Sequence, residues 1–162
     1  MTVSRRQLLV ALATPSASDR SVLAGLAGLE ATAVQAYQAA LGGGRLDAAT
    51  AGSARRFLAH EIAHRDRVAQ LLGGAAARPA TAGLVAAVRK AATQKAVLAA
   101  LIGVENAVVS GYYDAFGKLT DTDVLQALGE ILANEGQHLV VLRTAAGQAA
   151  TPNPFEPPTA GS

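Results

Sequence analysis

The sequence has no cysteine and no tryptophan, and its 162 residues include only three phenylalanines, three tyrosines and one methionine. Without cysteine there is neither a disulfide framework nor a thiolate metal site, and the redox compartment stays open. With aromatics at 4% there is little for bases to stack on, and the formal net charge of +2 comes from scattered basic residues. Nucleic acid is therefore excluded as a partner. No apolar run reaches the roughly 18–20 residues of a membrane span, so no transmembrane helix is expected. Runs of β-branched residues are scarce too. What is present is alanine and leucine within a hydrophobic share of 51%. That composition is helical, and the length suits one domain with a real core.

Residues 1–18 stand apart. Ser4-Arg5-Arg6-Gln7-Leu8-Leu9 resembles a twin-arginine export signal, followed by an apolar Val10 to Ala13. The apolar part is short and the small-x-small site Ala11-Leu12-Ala13 comes early. A plain N-terminal arm on a cytoplasmic protein is thus set ahead of export. A first long helix is expected from Ser18 or Asp19, either of which can cap it, to Leu41, ended by Gly42-Gly43-Gly44. A second runs from about Asp47 to Leu72 and stops at Gly73-Gly74. Ala75 to Thr81 reads as loop, and Leu84 to Ala92 adds a short helix. A third long helix spans about Thr93 to Lys118. The fourth spans Thr122 to Ala146, with Asp121 as its cap. The tail 147–162 is rich in proline and should be extended, with Phe155 available to pack on the domain. Two tight hairpins joined by one long crossover give an all-α four-helix bundle over residues 19–146.

Each long helix carries one apolar stripe, and each stripe is interrupted by acid. Leu23, Leu26, Val34 and Tyr37 flank Glu30. Phe57, Val68 and Leu71 flank Glu61 and His64. Leu98, Leu101, Val108 and Tyr112 flank Glu105. Leu128, Ile131 and Leu142 flank Glu135 and His138. Glu61 with His64, and Glu135 with His138, are three residues apart and so share a helix face. The hairpins look like copies, because Glu30 leads to Glu105 and Glu61 to Glu135 by nearly equal steps. Each unpaired glutamate has a tyrosine seven residues on, Tyr37 and Tyr112, near its own face. At a rise of about 1.5 Å per residue, each of the four glutamates lies roughly 18–24 Å from its hairpin turn, so all sit near one level.

A carboxylate in an apolar seam is costly unless paired, protonated or metal-bound. Of the six glutamates in the chain, four fall in seams. Arg65 and Arg67 fall off the stripe of their helix and are poorly placed to neutralise the core. Two divalent cations balance four carboxylates, with both histidines neutral. Oxygen and imidazole ligands without sulfur suit two iron ions, or manganese or a mixed Fe/Mn pair, and suit zinc less. Each ion takes one histidine and one terminal glutamate, while the other two glutamates bridge. Tyr37 and Tyr112 are candidates for work beside the metals, by hydrogen bonds to the carboxylates or in electron transfer; plain packing is their other reading.

Glu30, Glu61-Ile62-Ala63-His64, Glu105 and Glu135-Gly136-Gln137-His138 reproduce the ligand order E, ExxH, E, ExxH, and in this the chain resembles the ferritin-like superfamily. It looks most like small bacterial ferritin-like domain proteins, whose second helix often carries HExxH and whose end often reads like Pro154-Phe155-Glu156-Pro157. The resemblance implies that Glu61 and Glu135 bridge and that Glu30 and Glu105 are terminal. It also implies an oxidoreductase that oxidises Fe(II) or reduces O₂ or peroxide. A homodimer is the assembly considered. A 24-subunit storage shell is not expected, because acids outside the site are few and the pI is about 9.3. One alternative is a non-catalytic bundle stabilised by its metals, with a stress or envelope role. Another is a zinc peptidase built on His60-Glu61-Ile62-Ala63-His64. The peptidase lacks a third ligand, since no Glu, Asp or His lies between Arg67 and Arg89.

Overall fold

The computed structural model describes residues 15–74 and 77–153, among which there are five helices and no strand. They are α1 (Ala17–Gly42), α2 (Ala48–Leu71), α3 (Ala82–Lys90), α4 (Gln94–Phe116) and α5 (Thr122–Ala145). The expected elements are all there, with ends shifted by one or two residues. The cap of α1 differs: Ser16, not Ser18 or Asp19, takes the position, and its hydroxyl accepts from the Asp19 amide at 3.0 Å. Asp19 thereby falls inside the first turn, where an acid suits the positive end of the helix dipole. Asp47, Thr93 and Asp121 cap α2, α4 and α5 in the same way. Gly73 and Gly74 follow α2 with φ of 88° each, a left-handed backbone that glycine adopts at little cost. The twin-arginine-like stretch and Phe155 lie outside the described residues.

Packing follows the apolar stripes. α1 lies against α2 and α4, and α5 lies against α4 and α2. α1 and α5 are diagonal, as are α2 and α4, without close backbone approach. The core includes Leu23, Phe57, Val68, Leu98, Leu101, Val108, Leu128 and Leu142, all buried. The four interrupting acids lie in this same interior. α3 packs across α1 and α4.

The crossover is fastened to α1 at one place. The Thr32 hydroxyl donates to the Gly28 carbonyl and accepts from the amides of Ala80 and Thr81. Gly28 has no side chain because the crossover fills the space: a Cβ there would stand 3.0 Å from the Ala80 Cβ and 3.2 Å from the Arg78 carbonyl. Thr32 is buried, so losing its oxygen strands the Thr81 amide. Thr32→Val, which keeps the shape, is expected to lower stability by about 1–3 kcal/mol in urea unfolding.

α4 is long and apolar enough, by length and composition, to cross a membrane. Half of its most apolar window is buried within the protein, and the buried set includes Glu105. A core helix surrounded by other helices passes the same test.

Candidate metal centre

Glu30 comes from α1, Glu61 and His64 from α2, Glu105 from α4, and Glu135 and His138 from α5. All four glutamates and His138 are 0% exposed, and His64 is 9% exposed. Two groups form that could each hold a metal ion, with candidate ligand atoms inside 4.8 Å of one another: Glu30, Glu61, His64 and Glu135 in one, and Glu61, Glu105, Glu135 and His138 in the other. Glu61 and Glu135 belong to both. Glu135 faces both ways, with Oε1 2.6 Å from His64 Nδ1 and Oε2 3.3 Å from His138 Nδ1. His138 Nδ1 also lies 2.9 Å from Glu61 Oε1 and 3.5 Å from Glu105 Oε1.

These approaches are close but lack hydrogen-bond geometry. Glu30 Oε2, Glu105 Oε2, both oxygens of Glu61, both oxygens of Glu135 and the Nδ1 atoms of His64 and His138 are buried without a hydrogen-bond partner. Unsatisfied buried polar atoms are rare in folded proteins, since each costs about 1–3 kcal/mol. Eight such atoms around one spot describe a shell of donors, not a network bonded to itself.

The two remaining oxygens are taken by tyrosines. Tyr112 donates to Glu30 Oε1, and Tyr37 donates to Glu105 Oε1. Each phenol therefore crosses to the other hairpin's glutamate, where the sequence placed it beside its own. Seven residues is about 10 Å along a helix axis, too far for easy reach within one helix. From Glu30 to Tyr37 the number rises on α1, while the partners fall from Tyr112 to Glu105 on α4. The two helices are thus antiparallel, and each glutamate lies opposite the other's tyrosine.

The charges are strained in the absence of further positive charge. Burial pushes the Glu30 and Glu105 carboxyls well above the usual range, and the charges of Glu61 and Glu135 act the same way. Glu61 is raised by burial and then by Glu135. Burial pushes Glu135 upward as well, but His138, His64 and Glu105 outweigh it and bring it down to about 2. Burial would lower His138, yet the facing Glu105, Glu135 and Glu61 carry it up to about 12. Tyr37 and Tyr112 are held well above the ordinary phenol range by burial and by the same carboxylates. The protein alone thus holds one settled anion against one imidazolium, and presses its other acids toward neutrality. Arg65 offers no relief, since it pairs with Asp66 at 2.7 Å, and Arg67 donates to Gln70.

His60 is in neither group. Its Nδ1 lies 3.0 Å from His138 Nε2. Phe57 stacks on the His138 ring with centroids 4.1 Å apart and meets Tyr37 edge-on. The sequence placed His60 beside the seam, and only the HExxH match drew attention to it. Its partner on another helix leaves no mark in local spacing.

The pattern extends beyond these few side chains: a family model described as a ferritin-like domain matches residues 18–148. No curated protein and no solved structure gives a significant match.

Proposed function

The chain belongs to the ferritin-like domain family, and from that premise we propose that it holds two iron or manganese ions and oxidises Fe(II) or reduces O₂ or peroxide. The observation that carries the reading is the division of the eight unpartnered atoms. Glu30, His64 and one oxygen from each of Glu61 and Glu135 make four donors; Glu105, His138 and the remaining two oxygens make four more. On this reading Glu61 and Glu135 would each serve both ions, and Glu30 and Glu105 would each offer one free oxygen, because a tyrosine occupies the other. The four-helix bundle of two hairpins, over residues 19–146, is the frame that holds them.

Donors of oxygen and imidazole type, with four carboxylates to offset two dications, fit iron or manganese. Two reduced ions held this way supply electrons to O₂ or peroxide. The protein's own part is positioning. Tyr37 and Tyr112 fix the terminal carboxylates by donating to them, Phe57 fixes the His138 ring, and burial excludes bulk water. A peptidase pair of His60 and Glu61 is disfavoured, since His60 Nδ1 faces His138 Nε2 and His60 lies outside both donor groups.

The test is to purify the protein, measure bound metal, and add Fe(II) in air or peroxide to the reduced protein. Two ions per chain with rapid absorbance growth or peroxide loss is the expected result. Two tightly held ions without turnover would instead make the protein a metal-stabilised bundle.

A further inference from the structure

Building on the metal reading above, we propose that His60 is a positioning residue that fixes the tautomer of His138 and makes the two metal positions unequal in affinity. His138 can offer Nδ1 to a cation only if its single neutral-ring proton sits on Nε2. A buried N–H there needs an acceptor, and His60 Nδ1 stands 3.0 Å away. The two rings are inclined by 18° with centroids 5.3 Å apart. That is about as far apart as the centroids can be with nitrogens at 3.0 Å, so the bond lies in the ring planes, where the lone pair of His60 points. The His60 proton then sits on Nε2. His60 is half-buried and lines a cavity of about 280 Å³ with Arg56, Asn134, Gln137 and Val141.

The arrangement occurs once. In the repeat, Glu61 follows His60 while Glu135 follows Asn134, so α5 does not supply a matching imidazole to His64. An outer partner that orients a ligating histidine raises its basicity, and losing one typically costs about 10–100-fold in metal affinity. The position holding His138 should therefore be the tighter of the two, and the HExxH look of α2 arises from a ligand's support, not from a third ligand.

The experiment is an anaerobic calorimetric titration of the metal-free full chain with Mn(II), comparing wild type with His60→Ala. Wild type should bind two ions in two resolved steps. His60→Ala should weaken the tighter step by about 10–100-fold and leave the other within about twofold. Nitrogen-15 spectra of the wild-type Zn(II)-loaded protein should show His138 protonated at Nε2 and bare at Nδ1, a readout that holds even if the alanine variant folds poorly. Two ions bound by wild type with both steps unchanged in His60→Ala would overturn the role of His60 and leave the metal site standing. A proton on His138 Nδ1 in the loaded protein would overturn the role of His60 and also remove His138 Nδ1 from the donor set. Wild type that binds no Mn(II) and no Zn(II) would overturn the metal site and this inference with it.

Discussion

Glu135→Ala should leave the chain unable to hold either ion, whereas Glu30→Ala should still hold one. The contrast follows from membership: Glu135 belongs to both donor groups and Glu30 to one. Glu135 also turns one oxygen to each histidine, at 2.6 and 3.3 Å, so its loss removes a donor from both positions and lets the two histidines face an incomplete shell. Glu61→Ala should behave like Glu135→Ala, and Glu105→Ala like Glu30→Ala. Metal analysis after dialysis reads the outcome directly, as two ions for wild type, one for the terminal variants and none for the shared ones. Equal losses in all four variants would contradict the division of roles.

Adding metal to the metal-free protein should raise its melting temperature steeply. An ion that binds only the folded chain contributes about 4 kcal/mol at a thousandfold excess over its Kd. For a chain of this size that corresponds to about 8–16 °C for a single position. Glu105→Gln should move the two states in opposite directions. In the metal-free chain it removes an acid that burial and the neighbouring Glu61 and Glu135 already press toward neutrality, while the amide oxygen can still accept from Tyr37. That should stabilise the metal-free fold by about 1–3 kcal/mol. In the presence of Mn(II) the same variant should melt below wild type, because a neutral amide is a poor donor. Scanning calorimetry with and without metal would show the crossing. A variant that ranked the same way in both conditions would mean that the acids are not held for a cation.

The stripes were readable because a helix repeats every 3.6 residues. Leu23, Val68, Leu101 and Leu128 mark the buried faces, and Glu30, Glu61, Glu105 and Glu135 fall on them. The near-equal steps between the paired glutamates also pointed to a shared level. The details that depend on which helix lies beside which could not be read from spacing. Tyr37 reaches Glu105, not Glu30, because α1 and α4 run antiparallel side by side. His60 meets His138 only once α2 and α5 are packed. Thr32 gave no signal as the fastening of a crossover nearly fifty residues away. The α1 cap fell on Ser16 because several residues there can cap a helix, and local preference does not rank them.

Each donor group borrows from the opposite half of the chain: Glu135 completes the set around Glu30, and Glu61 completes the set around Glu105. A polypeptide still being synthesised, with α1 to α4 outside the ribosome and α5 not yet emerged, has Glu30, Glu61, His64 and Glu105 but lacks a full complement for either ion. On the proposed reading, loading would therefore wait until translation is nearly finished.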